Sequence, residues 1–376
     1  MNQLKTKKIA SALFVLSLSA CTSIPKDGGL SNVSLLVESK LSAGVQLPSL
    51  SNNNQLTADA VFSLLAQPLS IVDAEKLALG FNPMVKVKLF KVGLAEADYA
   101  QAGRMENPGF SYSRVSGQAY EASLLFDIGG VILMPLKRQL ENRRLQSARY
   151  QAASDVLEHI ANTRRSWINA VAAKQQTALM LKALESAEAG NNLTRQMSAL
   201  GHSNVIEAAD SEMFLSGMRT SLTRQRLAES AARESLIRQL GLWGQQARLL
   251  KLPDRLPELP QNSIDIESVE GQAIENRLDV RMANMNIEGL AKNLKLTRLN
   301  PFFSAIELGP VMEKDEGEIN RGYELEFRIP IFDTGDIKTQ KAKAIYDQAQ
   351  AQAEVTAISA ASSARQALKS YRSNLE

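Results

Sequence analysis

Two histidines, His159 and His202, and one cysteine, Cys21, are the chain's whole supply of imidazole and thiol. Neither histidine belongs to a ligand set dense enough for zinc, and a lone cysteine supplies no Cys/His nucleophile and no internal disulfide. Met180, Met197, Met213, Met218, Met282 and Met285 could be read as a relay for a soft metal, but scattered helical methionines more often fill core gaps. No glycine-rich phosphate loop is present. Glu207, Asp210 and Glu212 stand close together after a short break; in a symmetric oligomer Glu207 and Asp210 could form an acidic ring that attracts cations, or they are a solvated helix end. The stretch YELEFRIPIF, Tyr323 to Phe332, alternates strictly. Tyr323, Leu325, Phe327, Ile329 and Ile331 fall on one face and Glu324, Glu326 and Arg328 on the other, the period of a two-faced strand. The reading is a non-enzyme without cofactor or metal site.

The elements around these residues are mainly helical. At 376 residues, 44% hydrophobic and 22% charged, the chain has an ordinary folded composition. Residues 21–70 form an extended arm with a short helix near Ala58 to Ala66, and a helical pattern follows from Ile71 through Ala74, Leu77, Ala78, Val85, Leu89, Val92 and Leu94. ENPGF (Glu106 to Phe110) stops it. Strands are predicted over 109–128, as GFSYSRV and YEASLLFDI joined by SGQA. Helices are predicted over 136–200, after Pro135, and over 205–240; the first is a rod on the order of 100 Å, long enough to fold back on its partner as a hairpin.

After a proline-spaced linker at 252–261, the order repeats. AIENRLDVRMANMNIEGLAKNLKLTRLNPFF aligns with ALGFNPMVKVKLFKVGLAEADYAQAGRMENPGF, bringing Asn276 to Asn82 and Asn300–Pro301 to Asn107–Pro108. The second copy, 262–376, then carries strands over 302–332, with FFSAIEL as hairpin partner and EKDEGEINR as a polar loop, and a helix from about residue 337. Two repeats thus occupy 71–251 and 262–376. Four strands of roughly nine residues, each with one apolar face, have the length of tilted bilayer-crossing strands. Open edges forbid four strands from standing in lipid alone. A trimer supplies the twelve that close a barrel, with Glu324, Glu326 and Arg328 turned to a polar lumen. A sheet packed on a soluble core is the alternative.

The N-terminus indicates the compartment. Lys5, Lys7 and Lys8 precede an apolar run from Ile9 to Leu18, and LSAC follows, ending on Cys21. LSAC resembles the lipobox of bacterial lipoproteins, which implies removal of residues 1–20 and acylation of Cys21. Thr22 is not the aspartate associated with inner-membrane retention, so the implied address is the outer membrane. Cleavage takes the formal charge from +3 to neutral. Nothing in the charge balance then points to nucleic acid.

The repeated helix, hairpin and helix unit, QAGRMENPGF and ALGHSNVIEAADSE resemble the TolC family of outer-membrane efflux channels from about residue 58 onward. The resemblance implies a homotrimer with a twelve-stranded barrel and a periplasmic helical tunnel, docked on a periplasmic adaptor and an inner-membrane RND-type pump. It also places Leu200, Gly201, His202, Ser203 and Glu207 at the periplasmic tip where adaptors dock, with glutamate at 207 where the family more often has aspartate. AQPLSIVDAEKLALGFNP is more similar to the metal-exporting members. Against the family pattern, the second tip and the fourth long helix do not follow Ile337–Glu376, and the sequence reads as a C-terminally truncated member. The rival readings are a lipid-anchored periplasmic adaptor, which predicts one hairpin flanked by β-rich domains, and a structural coiled-coil protein, which needs no membrane-length strands.

Overall fold

The computed structural model of the protein describes residues 24–48, 57–114, 119–259, 269–303, 306–315, 317–327 and 334–375. The signal segment 1–20, Cys21 and Arg328 lie outside them. The chain forms two compact units that cut across the sequence repeat.

One unit comprises Leu30–Phe90 and Ala152–Asp265. Its first helix, α1 (Leu30–Val37), buries Leu30, Val33 and Val37 and lies in the segment expected to be an extended arm. Helix α2 (Ala58–Leu65) starts at Thr57, whose hydroxyl accepts from the Ala60 N–H at 3.3 Å. Helix α3 (Ile71–Gly80) starts at Ser70, whose hydroxyl accepts from the Asp73 N–H at 3.1 Å. These side chains satisfy N–H groups that a helix start leaves open.

The apolar spacing from Ile71 onward suggested one helix, but the structure has two, with α4 (Pro83–Ala102) beginning anew. Proline disfavours helical backbone at the preceding residue and suits the first helical position. Asn82 uses the break, its Oδ1 accepting from the Met84 N–H at 2.9 Å.

Two long helices complete the unit, α5 (Ile128–Ala199), which enters it from Ala152, and α6 (Val205–Leu240). Gln225 bonds to Gln176, Arg219 to Glu188, and Asn191 to Glu212, so the two run antiparallel. The core packs Leu65, Leu69, Leu77, Trp167, Leu236 and Leu240. Trp167 stays fully satisfied there by donating its indole N–H to the Leu69 carbonyl at 2.9 Å. Glu75 is completely buried, and its carboxylate accepts from Arg164 Nε at 2.6 Å and from the Ser42 hydroxyl at 3.0 Å. Without those donors a buried carboxylate would be strongly destabilising. Helix α7 (Gly244–Leu249) is the last helix of this unit among the described residues; Arg233 holds it through the carbonyls of Ala247 and Leu250.

Gly241 closes α6 with φ +72°, donating to the Arg238 carbonyl while the next N–H, that of Leu242, reaches Ile237. This is the left-handed helix stop that glycine adopts most easily. A methyl group there would meet Asn82 Cα at 2.8 Å, so both the φ value and the space demand glycine. Gly241→Ala is expected to cost about 2–3 kcal/mol; a denaturant midpoint equal to wild type would contradict this.

The other unit gathers the described residues of Met1–Gly29, Lys91–Gln151 and Ile266–Glu376. Its sheet has strands β1 (Gly109–Arg114), β2 (Tyr120–Asp127), β3 (Ile306–Asp315) and β4 (Glu318–Phe327), all antiparallel and in that order. Helices α8 (Val269–Asn276), α9 (Leu278–Phe303) and α10 (Asp336–Leu375) follow the same order as the first repeat. Arg277 to Ser363 and Arg365 to Glu270 tie α10 to the α8–α9 segment. Buried Glu96 pairs with Arg149 at 3.0 Å, and Arg143 with Glu288 at 2.7 Å.

Three expected boundaries differ. Helix α5 begins at Ile128 rather than after Pro135, because Asp127 caps it, accepting from the Gly130 N–H at 2.7 Å. Pro135 then lies inside the helix, where it removes one backbone hydrogen bond. Phe302 and Phe303 end α9 instead of opening a strand, so Asn300–Pro301 is helical while Asn107–Pro108 is not. Finally, the charged run EKDEGEINR is mostly strand: Asp315 pairs with Glu318 around Gly317, whose φ is +94°. Glycine makes so short a turn possible, and solvent-facing acids are compatible with strand.

Candidate functional site

The sheet is two-faced through its registers. Residues directly opposite across antiparallel strands share a face. Asp127 faces Glu307, and Glu307 faces Glu326, so three carboxylates form one row at the helix end of the sheet. Glu324 stands in the next row opposite Gly309, and one of its carboxylate oxygens is buried without a hydrogen-bond partner. The same face carries Ser111, Ser113, Glu121, Ser123, Glu313, Asp315, Glu318 and Asn320. Among the described strand residues no basic side chain stands on it.

The opposite face carries Phe110, Tyr112, Leu124, Phe126, Leu308, Met312, Tyr323 and Leu325. Leu124, Phe126 and Met312 are half-buried, whereas Tyr323 is 86% exposed, Phe110 72% and Leu325 68%. Sequence periodicity placed Glu324 and Glu326 opposite Tyr323 and Leu325, and the structure has them so. It missed Asp127 and Glu307, because which acids share a row is a property of register between strands distant in sequence. Asp127 holds two positions at once, the last of a strand and the cap of a helix.

The turn between α5 and α6 contains the other predicted residues. Leu200, Gly201, His202 and Ser203 form it, with Gly201 at φ +79° and the His202 N–H donating to the Met197 carbonyl at 2.8 Å. Asn204 caps α6, its Oδ1 accepting from the Glu207 N–H at 2.8 Å, and the Ser203 hydroxyl donates to the Glu207 carboxylate at 2.6 Å. Glu207 is thus occupied in a reciprocal capping arrangement. Glu212 accepts from Asn191, which leaves Asp210 as the exposed acid of the three with no such bond. Leu200, Val205 and Ile206 are all more than 70% exposed, an apolar tip at the end of a polar hairpin. Val205 and Ile206 were not among the residues that the sequence motif marked, although apolar residues just after a cap are a readable signal.

No helix among the described residues is long and apolar enough to cross a membrane, and no group of three or more His, Cys, Asp or Glu could hold a metal ion among them.

No protein-family model matches the chain, and no curated protein matches it. Solved structures do. The chain is similar to the CmeC outer membrane channel of Campylobacter jejuni, at 16% identity and TM-score 0.66, over 85% of this chain and 72% of that one. It is similar to the outer-membrane channel OprN at 16% identity and TM-score 0.67, over 81% and 74%. The fold is that of outer-membrane channels. CusC, whose structures concern transmembrane channel formation, matches at 16% identity and TM-score 0.61 over 88% of this chain and 80% of that chain. At such identities the likeness carries the fold, and the chemistry must come from this chain's own faces.

His159 lies buried on α5, its Nε2 3.5 Å from the Asn82 amide nitrogen, which itself donates to the Gln239 carbonyl at 2.8 Å. Burial, aided by the Lys88 ammonium, pushes its pKa below the ordinary 6.5; hydrogen bonds to the Ala78 and Gln239 carbonyls act the other way. As pH falls below 6.5 the unfolded chain takes up this proton first, so stability declines until His159 protonates in the folded protein too. Wild type is expected to lose more stability than His159→Gln between pH about 7.5 and about 5. Equal losses in denaturant titrations would contradict it.

Proposed function

We propose that this chain is one stave of an outer-membrane efflux channel of the TolC family. Three copies join edge to edge, β4 of one beside β1 of the next, closing twelve strands into a barrel whose acidic face lines the lumen and whose apolar face meets lipid. The observation that carries this reading is the sorting of the four strands into an exposed apolar face and a face that, among the described residues, carries acids and no bases. A soluble sheet would bury one face against a core, whereas Phe110, Tyr323 and Leu325 stay exposed. The free edges of β1 and β4 would be untenable in lipid without neighbours.

On this reading the helical hairpins form a passive periplasmic tunnel. A periplasmic adaptor docks at the turn, on Leu200, Gly201, His202, Ser203 and Glu207, and an RND-type inner-membrane pump supplies energy and selects the substrate, metal ions or small toxic compounds. Asp210 with Glu207 forms the entrance ring, and Cys21 carries the lipid that adds an outer-membrane anchor. The likeness to outer-membrane channel structures supports the fold part of this reading.

The deciding experiment measures particle mass and single-channel conductance of the detergent-extracted chain in a planar bilayer. A trimer with discrete conductance is expected. A monomer with no conductance would favour the anchored adaptor or coiled-coil alternative.

A further inference from the structure

The three basic residues of the described strands all stand on the apolar face, and all toward its hairpin-turn end. Arg114 faces Tyr120, Tyr120 faces Lys314, and Arg321 faces Met312 one row below. Lys314 and Arg321 are diagonal neighbours on adjacent strands, about 7–8 Å apart at the backbone and within reach of one shared anion. Tyr112 and Tyr120 stack beside them, ring centres 5.9 Å apart. Adjoining this group is a concavity of about 490 Å³ lined by Phe110, Leu124, Pro310, Met312 and Tyr323, with Arg321 also on its wall. It lies where the β2–β3 register passes Gly309 and Pro310, the latter without an N–H to give the ladder.

Cations at the end of an apolar slot match an anionic amphiphile, with phosphate at the basic end and an acyl chain along the slot. A soluble anion has no use for the slot, and a neutral lipid has none for the cations. We propose that Arg114, Lys314, Arg321 and the adjoining slot bind an anionic membrane lipid with phosphate on its headgroup. This rests on the reading of the strands as membrane-spanning, which sets the slot at acyl-chain depth and the cations at headgroup level, where basic and aromatic residues collect.

The test uses the full chain in maltoside detergent, with diphosphoryl lipid A as probe and binding read by native mass spectrometry. Saturable binding is expected, weakened about tenfold or more by Arg114→Gln, Lys314→Gln and Arg321→Gln together. Lipid A stripped of its phosphates should bind wild type no better than the phosphorylated lipid binds the triple variant. Met312→Trp, which fills the slot and keeps every charge, should weaken binding as well. Unchanged binding in the triple variant, or equal binding of the stripped lipid, overturns the proposal, and so does full displacement by inorganic phosphate. Conductance of the same samples separates the two readings: a conducting channel that ignores the phosphates sinks the lipid site alone, while a chain that neither inserts nor conducts sinks the membrane reading too.

Discussion

Replacing Gly309 with valine is expected to abolish the four-stranded sheet. A β-carbon at this position would fall on the Leu124 carbonyl of the neighbouring strand, a backbone group that cannot rotate aside as a side-chain tip could. The strands would have to separate where Pro310 already withholds a ladder hydrogen bond. Overpacking of this kind costs on the order of 3 kcal/mol or more. Glu324 sits opposite Gly309, so separation would also disturb the acidic face. The core around Trp167 and Leu236 contains no strand residue, so the helical signal should persist. Circular dichroism with limited proteolysis in detergent tests this: wild-type protection of β3 and β4 in Gly309→Val would refute it.

Neutralising Glu307, Glu324 and Glu326 to glutamine is expected to have the largest effect on permeation. Three copies of these glutamates around a trimer would place nine carboxylates, plus three copies of Asp127, at one end of the lumen. Clefts lined by one sign of charge raise the local concentration of counter-ions by 10-fold to about 1000-fold. The cation-to-anion permeability ratio of the triple variant should therefore fall by roughly an order of magnitude. Asp127 is left untouched because its carboxylate caps α5, and changing it would mix folding with permeation. Reversal potentials under a salt gradient provide the measurement; a ratio unchanged by the substitutions would mean that this face does not line the conduit.

Local pattern alone determined a large part of this protein. Apolar residues at helical spacing indicated the helical stretch from Ile71 onward, with Ala74, Leu77, Ala78, Val85, Leu89 and Val92 all buried, although Leu94 is not. Strict alternation placed Glu324 and Glu326 against Tyr323 and Leu325, since a strand's side chains alternate whatever its partners. The glycine and polar residues at 201–204 marked the turn between α5 and α6. Tertiary structure decided what depends on residues far apart in sequence. Only pairing between β2, β3 and β4 brings Asp127, Glu307 and Glu326 into one row, and only register gathers Arg114, Lys314 and Arg321 on the other face. The start of α5 is local by contrast: a carboxylate that caps the helix three residues away outweighed a proline seven residues into it. Asn107–Pro108 and Asn300–Pro301 look alike in sequence, yet one pair precedes a strand and the other ends a helix. Local propensities are worth at most about 1 kcal/mol per residue, proline excepted, and packing between distant segments readily overrides them.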